Sequence, residues 1–298
     1  MSKHSDSSVP GRFFSGKVAA ITGAGSGIGR ALALHLAREN CDLALSDINA
    51  AGLEESARLA RDLGVQVTTA VVDVANRDAV EAWADQTAKD HGKVNMIFNN
   101  AGVALGSSVE GTSYENFEWL LNINLWGVIY GTKAFLPHLK KSGDGHVINV
   151  SSLFGLVGIP GQSVYNTAKF AVRGFTESLR QEMDIERCNV NVLCVHPGGI
   201  KTNINASARM DSSIKSLVGS DSEETRQSFE KLLKTTPDDA ADIILKAVRR
   251  KSRRVLVGSD AKALDLLQRF FPAFYQRLIV AVLRMRAAKS RRKALASN

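Results

Sequence analysis

Residues 17–29, KVAAITGAGSGIG, carry the strongest structural signal in the chain. The first part, KVAAIT, is a short apolar run typical of a buried strand, and a helical pattern follows the glycine-rich part. Glycines allow a sharp turn and a close backbone approach to a ligand, while a helix N-terminus offers free N–H groups to an anion. We therefore predict a strand–loop–helix unit that binds a dinucleotide pyrophosphate. The candidate binding residues in the loop are Gly23, Ser26, Gly27, Ile28 and Gly29.

The rest of the chain continues this alternation of apolar strands and amphipathic helices. GRALALHLAREN at 29–40 and RDAVEAWADQTAKDHG at 77–92 have the apolar spacing of helices that lie on a sheet. Near-continuous apolar strands separated by helices indicate a parallel sheet covered on both faces. We predict an α/β protein with a doubly wound, seven-stranded parallel sheet, the Rossmann fold. The predicted strands are residues 17–22, 42–47, 65–73, 94–102, 146–152, 190–198 and 253–258.

Three segments stand outside this alternation. Residues 1–14 are expected to form a flexible N-terminal segment. Residues 15–258 are predicted to form the nucleotide-binding domain, and within it the polar, Ser-rich residues 203–235 are long enough for a substrate lid. Residues 259–298 are predicted to add one or two helices and a basic tail.

The composition is ordinary for a soluble globular protein, with 44% hydrophobic and 23% charged residues. The N-terminal stretch lacks the apolar core of a secretory signal, and no apolar run approaches the ~20 residues that span a bilayer. Three cysteines without metal-ligand spacing favour a reducing, cytoplasmic location. The six histidines are scattered, so we predict no metal site.

The net charge of +8 is concentrated near the C-terminus. Residues 284–298 carry six cations and no acid, which leaves a net charge of +2 on the rest of the chain. A second basic cluster, KAVRRKSRR, lies at 246–254. Since no zinc-finger or RNA-binding sheet motif accompanies these clusters, we expect no nucleic-acid partner.

A carboxylate follows the second predicted strand. Asp47 lies twenty residues after Gly27, where an acidic side chain can bind both ribose hydroxyls of adenosine and would repel a 2′-phosphate. Neither Ile48 nor Ser26 offers a cation to hold such a phosphate. This pattern favours NAD over NADP as the cofactor. The alternative is that Asp47 only caps the next helix.

Three residues near the fifth predicted strand point to proton transfer. Tyr165 and Lys169 are four residues apart, so they share one face of a helix. A lysine ammonium ~4–6 Å from a tyrosine favours the phenolate and can lower its pKa by ~1–3 units. Ser152 ends the strand, at the edge where parallel sheets bind ligands. We predict that Tyr165 exchanges a proton with a substrate whose oxygen Ser152 holds; an exposed helix pair without function is the alternative.

Together these motifs resemble the short-chain dehydrogenase/reductase family, in its shorter, single-domain branch. The resemblance covers about residues 15–258 and depends on the order and spacing of several motifs. These are TGAGSGIG at 22–29, DV at 73–74, NNAG at 99–102, NINLWG at 122–127, SS at 151–152, YNTAK at 165–169 and HPGGIKT at 196–202.

The resemblance implies roles that the spacing alone does not assign. Asn124 would complete a catalytic tetrad with Ser152, Tyr165 and Lys169 by distorting its helix and holding a water beside Lys169. Lys169 would also bind the nicotinamide ribose, and the chain would form a homodimer or homotetramer by helix pairing. The further implied cofactor contacts are Asp73, Val74, Asn100, Ala101, Gly102, Tyr165, Pro197, Gly198, Ile200 and Thr202.

The substrate is expected to be hydrophobic. LFGLVGIPGQS at 153–163 is rich in apolar residues, and Phe154 could form a pocket wall beside Ser152 and Tyr165. We predict hydride transfer between NAD and a secondary alcohol or ketone, such as a steroid, retinoid or lipid. Two alternatives remain: an NADP-dependent ketone reductase, and a non-catalytic nucleotide-binding sensor or scaffold at a membrane surface, for which a broken tetrad would be expected.

The C-terminal extension has the pattern of a basic amphipathic helix. Such a helix can lie on an anionic membrane surface, and the alternative is that it packs on its own domain or on a partner subunit. The predicted apolar stripe consists of Phe274, Leu278, Val282 and Met285. The predicted basic stripe consists of Arg277, Arg284 and Arg291.

Overall fold

The computed structural model describes residues 13–202, 204, 207–214, 217 and 233–296, with side chains as far as residue 285 in the last helix. In this part of the chain, seven parallel strands form one sheet in the order β3–β2–β1–β4–β6–β7–β9, and β5 pairs separately with β8. The predicted seven-stranded parallel sheet is therefore confirmed. The strands are β1 (Val18–Thr22), β2 (Asp42–Asp47), β3 (Val67–Val71), β4 (Met96–Asn99), β5 (Leu105–Gly106), β6 (Gly145–Val150), β7 (Val190–Pro197), β8 (Arg209–Met210) and β9 (Arg254–Val257).

Helices cover both faces of the sheet. Helices α1, α2 and α7 bury their apolar residues in one core cluster, and α3, α5 and α6 bury theirs in a second cluster on the opposite face. The α-helices are α1 (Gly27–Arg38), α2 (Ala50–Arg61), α3 (Arg77–His91), α4 (Tyr114–Leu121), α5 (Gly127–Ser142), α6 (Ser163–Glu186), α7 (Pro237–Arg249), α8 (Ser259–Phe270) and α9 (Phe274–Ala296). A π-helical segment, Asn122–Trp126, joins α4 to α5, and a 3-10 turn, Leu153–Gly155, follows β6.

The sheet order places a crevice beside β1. Strands β2 and β3 lie on one side of β1, and β4, β6, β7 and β9 lie on the other. In open parallel sheets, such a reversal leaves room for a ligand at the carboxyl ends of the strands. The glycine loop after β1 and the NNAG segment after β4 meet at this point.

Predicted and observed strand bounds differ most at β3 and β4. Residues 65–73 were expected to be strand, but β3 covers only Val67–Val71 at the sheet edge, where its residues are partly exposed. β4 ends at Asn99 because the next residues leave the sheet and hydrogen-bond to Thr22. In both places the predicted strand is longer than the stretch that pairs with the neighbouring strand.

Both ends of the described chain pack on the sheet domain. Phe14 is fully buried, and the guanidinium of Arg249 lies 4.9 Å from the centre of its ring. The packed domain therefore begins at least two residues before residue 15, while residues 1–12 of the expected flexible segment lie outside the described residues. In the C-terminal extension, Asp265 of α8 pairs with Arg254 of β9, which holds α8 against the sheet.

Most of the expected lid, residues 203–235, lies outside the described residues. The described part includes β8, which pairs with β5, and Ile214, which is buried. Ser213 accepts a hydrogen bond from Ser108 N over 3.0 Å. Residues 207–214 thus contact residues 105–108, which follow the NNAG segment. None of the described helices is both long and apolar enough to cross a membrane.

Two of the cysteines, Cys41 and Cys194, are buried in the core. Burial raises the pKa of Cys194 to about 12 and also raises the pKa of Cys41, so both thiols stay protonated at neutral pH. Within the part of the chain that the structure covers, His, Cys, Asp and Glu side chains form no group of three or more that could hold a metal ion.

Candidate active site

The glycine loop makes contacts that only glycines permit. Gly23 has φ +65°, and a Cβ on it would lie 2.8 Å from Ala101 Cα. A Cβ on Gly29 would lie 2.1 Å from the carbonyl oxygen of Gly23, so the first turn of α1 packs directly on the end of β1. Ile28 in that turn packs against the core. Ser26 precedes α1, and its side chain forms no capping hydrogen bond. The loop therefore presents bare backbone at a helix N-terminus, as pyrophosphate binding requires.

The NNAG segment supports the glycine loop from the side. Asn100 Nδ2 donates to the carbonyl oxygens of Thr22 and Gly23, at 3.0 and 3.2 Å. The hydroxyl of Thr22 accepts hydrogen bonds from the backbone N–H groups of Asn100 and Ala101. These bonds fix one wall of the crevice at the height of the glycine loop. The two motifs therefore lie next to each other.

The second strand ends at the carboxylate that was predicted to select the cofactor. Asp47 Oδ2 accepts a hydrogen bond from Gly25 N, and Oδ1 accepts one from Asn49 N, each over 2.8 Å. Asp47 therefore lies against the glycine loop, at the end of the crevice beside β2. It does not cap α2, because Asn49 supplies the side-chain cap. The neighbouring Ile48 is exposed.

Asp73 and Val74 lie at the same end of the crevice, just past β3. Val72 N donates to Asp47 O, which brings this turn beside the end of β2. Asp73 is exposed, whereas Val74 is buried against Gly127, where a Cβ would approach Val74 Cγ2 to 2.9 Å. The adenine contacts that the family resemblance implies for these two residues stay a prediction.

The loop after β7 closes the crevice opposite the glycine loop. Pro197 is the last residue of β7, and Ile200 is buried. Thr202 lies against Gly27, where a Cβ would come within 3.0 Å of Thr202 Cγ2. The Gly198–Gly199 turn is held from outside, because Asp260 Oδ2 accepts a hydrogen bond from Gly199 N over 2.7 Å.

Lys169 is buried at the centre of the crevice. Its side chain is 3% exposed, and Nζ donates to the carbonyl oxygen of Val150 over 3.0 Å. A Cβ on Gly102 would lie 3.2 Å from Asn124 Oδ1 and 3.7 Å from Lys169 Nζ, so these three residues meet. Gly102 leaves the space in which a ligand could reach the ammonium group.

Asn124 occupies a π-helical turn, as the resemblance implied when it placed a helix distortion there. Its Oδ1 accepts from Val103 N, and its Nδ2 donates to Val103 O, both over 2.8 Å. The wide π turn, Asn122–Trp126, turns this buried side chain out of the regular α-helical position and toward the crevice. Asn124 therefore locks the chain after the NNAG segment beside Lys169.

Tyr165 and Ser152 form the substrate end of the site. Tyr165 lies in the first turn of α6 and hydrogen-bonds to the Ser152 side chain. Ser152 Oγ also accepts from Phe154 N over 3.1 Å, which caps the 3-10 turn. The Phe154 ring packs edge-on against the Tyr165 ring, with centroids 6.0 Å apart. The three predicted substrate residues thus contact one another.

Burial controls the ionisation of the Tyr165–Lys169 pair. Loss of water raises the pKa of Tyr165 to about 12, although the hydrogen bond with Ser152 lowers it. Loss of water also lowers the pKa of Lys169 to about 8. Lys169 Nζ lies 5.6 Å from the centre of the Tyr165 ring. The expectation that Lys169 lowers the Tyr165 pKa is therefore not met in the free protein, because desolvation outweighs the hydrogen bond with Ser152.

Two polar residues that position this site were not predicted. Ser151 Oγ donates to Lys169 O over 2.8 Å, which joins the end of β6 to α6. Asn166 Nδ2 donates to the carbonyl oxygens of Phe154 and Val157, at 2.6 and 2.9 Å. Its position directly after Tyr165 in YNTAK is the sequence signal that could have pointed to it.

The C-terminal extension contributes two further contacts. Asp260, in the first turn of α8, holds the Gly198–Gly199 turn. Tyr275, in the first turn of α9, accepts a hydrogen bond at its hydroxyl from Gly158 N over 3.0 Å. Tyr275 also packs in an apolar cluster with Leu153 and Val157 of the segment between Ser152 and Tyr165. No local motif marks either residue, since both contacts depend on how distant segments pack.

Comparisons with known proteins agree with this geometry. A family model described as short chain dehydrogenase matches residues 17–213. A putative oxidoreductase SadH from Mycobacterium tuberculosis is 49% identical over 269 residues, which cover 90% of this chain and 95% of that protein. Human estradiol 17-beta-dehydrogenase 11 is 30% identical over 260 residues, which cover 86% of this chain and 80% of that protein.

Solved structures show the same fold. A short chain dehydrogenase/reductase from Burkholderia phymatum, crystallised in complex with NAD, superimposes with a TM-score of 0.78 at 27% identity, over 86% of this chain and 94% of that chain. The match of the family model over most of the chain and the match to SadH along nearly its whole length have one consequence: the protein belongs to the short-chain dehydrogenase family of oxidoreductases.

Proposed function

We propose that the protein transfers a hydride between NAD and a hydrophobic secondary alcohol or ketone. The observation that carries this proposal is the meeting of Asn124, Ser152, Tyr165 and Lys169 at the crevice beside β1. All four residues of the tetrad that the resemblance implies are present in the sequence, and their proximity supports a catalytic role. A non-catalytic nucleotide sensor would have no need for a buried lysine next to a tyrosine.

The chain offers a cradle that fits a dinucleotide. Backbone is bare at Gly23 and Gly29, where a Cβ would clash, and the N-terminus of α1 points into the same groove. Bound NAD would supply the hydride acceptor and, in its oxidised form, a positive charge. Lys169, next to Gly102, is placed to bind a ribose hydroxyl, and the Gly198–Thr202 loop would close over the nicotinamide end.

Tyr165 is assigned the proton transfer. Its hydroxyl is hydrogen-bonded to Ser152, so a substrate oxygen held by Ser152 would lie within reach of the same hydroxyl. During oxidation Tyr165 takes the alcohol proton, and during reduction it returns a proton to the ketone oxygen. A cation beside the ring favours the phenolate, so the raised pKa of the free protein is expected to fall when oxidised cofactor binds.

Asp47 supports NAD as the cofactor. Its carboxylate lies at the end of β2 against the glycine loop, where it would bind ribose hydroxyls and repel a 2′-phosphate. The cation in the first turn of α1, Arg30, donates from Nε to Ser56 Oγ and from Nη2 to the carbonyl oxygens of Gly25 and Gly52, so only Nη1 is left for a 2′-phosphate. NAD is therefore favoured over NADP.

The apolar surroundings of Tyr165 support a hydrophobic substrate. Phe154 packs on the Tyr165 ring, and Phe154 and Ile159 pack against the apolar cluster that includes Tyr275. The resemblance to an estradiol dehydrogenase agrees with this class of substrate. Steroid, retinoid and long-chain secondary alcohols are the first compounds to test.

The test is a substrate screen with a matched pair of serine variants. Wild-type protein is incubated with NAD or NADP and each secondary alcohol, and reduced cofactor is followed by its absorbance. We expect turnover with NAD, and a loss of about 10²- to 10³-fold in kcat/KM for Ser152→Ala. Ser178→Ala, at an exposed serine of α6, should behave like the wild type. A preference for NADP would contradict the role of Asp47, and full activity of Ser152→Ala would contradict the site.

A further inference from the structure

The net charge of the protein resides in residues 266–298. Residues 266–298 contain eight Lys and Arg residues and no Asp or Glu. The rest of the chain has 30 basic and 30 acidic residues and is neutral. Such a charge distribution gives one end of the molecule a strong attraction for an anionic surface.

Within this segment, α9 exposes an apolar stripe. Phe274, Leu278 and Met285 are 57%, 45% and 65% exposed and are spaced by four and seven residues, so they lie on one side of the helix. Phe270 and Phe271, just before α9, are also exposed. Val282, which was predicted to belong to this stripe, is less exposed and lies nearer the packed face.

Two arginines flank this exposed apolar stripe. Arg277 and Arg284 are seven residues apart and exposed, and neither forms an ion pair with a residue that the structure describes. Arg277, Val280 and Arg284 line a shallow surface cavity of about 380 Å³. Apolar side chains next to unpaired cations are typical of helices that lie in the headgroup region of a bilayer.

The inner face of α9 is already occupied. Tyr275 is buried and bonded to Gly158, and Ile279 packs against the same apolar cluster. Because these contacts fix the rotation of the helix, the apolar stripe cannot turn inward without breaking them. The predicted alternative, packing on the domain, is thus correct for one face of the helix and leaves the neighbouring face uncovered.

We infer that the stripe of Phe274, Leu278 and Met285, flanked by Arg277 and Arg284, binds the surface of an anionic lipid bilayer. The apolar side chains would enter the headgroup region while the arginines contact lipid phosphates. A second copy of the chain is a poorer occupant, because pairing this face with itself would bring Arg277 and Arg284 against the same two cations.

This surface lies close to the candidate active site. Tyr275, on the inner face of the same helix, packs with Phe154, whose ring contacts Tyr165. A bilayer on the outer face would therefore lie about one helix diameter, roughly 10 Å, from the substrate segment. Delivery of a lipophilic alcohol from the bilayer rests on the proposed function, whereas lipid binding itself does not.

Vesicle sedimentation without cofactor or substrate tests the inference. The full chain is mixed with vesicles of phosphatidylcholine alone or with about 30% phosphatidylglycerol. We expect binding to the anionic vesicles only. The double variants Phe274→Ser/Leu278→Ser and Arg277→Glu/Arg284→Glu should each reduce the partition coefficient at least about tenfold.

Matched controls lie near the amino ends of β6 and β7. Ile185→Ser and Lys141→Glu change an exposed apolar residue and an exposed cation near the ends of α6 and α5, and both should bind like the wild type. Melting temperatures check that every variant is folded. The inference is overturned if the wild type stays in the supernatant, or if Phe274→Ser/Leu278→Ser binds as tightly as the wild type. It is also overturned if light scattering shows that the stripe forms a dimer that this variant dissociates.

Discussion

The candidate active site, at the carboxyl ends of the strands, and the C-terminal extension are stabilised in different ways. At the candidate active site, buried polar side chains such as Asn124 and Lys169 hydrogen-bond to backbone groups of neighbouring elements. The extension is attached mainly by an apolar cluster, by the Asp265–Arg254 pair and by two hydrogen bonds to active-site loops. From this difference we expect that the candidate active site carries the reacting side chains and that the extension positions the loops around them. Changes in the two regions should therefore have separable effects.

The largest effect on stability is expected at Lys169. Burial lowers its pKa from 10.5 to about 8, so between these values the unfolded chain binds more protons and the free energy of unfolding rises with pH. Lys169→Met removes this pH-dependent contribution to the free energy of unfolding. The stability advantage of the variant over the wild type should therefore shrink by about 2–3 kcal/mol between pH 7 and pH 10, measured by denaturant unfolding.

The control for this prediction is Lys141→Met, at an exposed lysine in the last turn of α5. The comparison separates the loss of a buried lysine from the loss of a lysine side chain as such. Tyr165 is present in both proteins, and its raised pKa lowers the free energy of unfolding mainly above pH 10, so it does not account for the difference. A pH-independent difference for Lys169→Met would show that the ammonium is not desolvated.

A somewhat smaller effect is expected at Asn166. Replacement by Ala leaves the carbonyl oxygens of Phe154 and Val157 and the N–H of Ile159 without their side-chain partner. We expect a loss of about 2 kcal/mol in stability and a lower kcat, because the segment that carries Phe154 loosens next to Tyr165. Thermal unfolding and steady-state kinetics measure the two effects. An unchanged kcat for Asn166→Ala would show that the order of this segment does not affect catalysis.

The extension should act on binding more than on the chemical step. Asp260→Ala removes the acceptor of Gly199 N and should raise KM for NAD about tenfold with little change in kcat. Asp260→Asn keeps an acceptor oxygen and should restore most of the affinity. Cofactor titration by fluorescence provides the measurement. If both variants bind NAD like the wild type, Asp260 does not position the loop.

Local sequence signals predicted well the strands and the motifs at their carboxyl ends. The strand positions, the glycine loop and the Tyr165–Lys169 spacing follow from periodicity and from residue types that act within a few positions of one another. Asn124 was placed by the family resemblance, and its π-helical turn is present. By contrast, the pKa of Tyr165 was wrong in direction for the free protein, because desolvation depends on packing that spacing does not reveal.

The extension was predicted less completely for the same reason. The roles of Asp260 and Tyr275 depend on contacts with Gly199 and Gly158, across 61 and 117 residues of sequence. Amphipathic spacing predicted an apolar stripe on α9, but it could not tell which apolar residues face the domain. Val282 was therefore assigned to the exposed stripe, although Phe274 and Leu278 are more exposed.

Two tyrosine hydroxyls offer the most direct test, one in each region. Tyr165→Phe and Tyr275→Phe each delete a single oxygen, and both hydroxyls are hydrogen-bonded. Hydride transfer is followed in a single turnover with saturating NAD and the best alcohol from the screen. We expect Tyr165→Phe to slow this step about 10³-fold with unchanged NAD affinity, and Tyr275→Phe to keep it within a few-fold of the wild type. Hydride transfer by Tyr165→Phe within tenfold of the wild-type rate would contradict the assignment of Tyr165 as the proton-transfer residue.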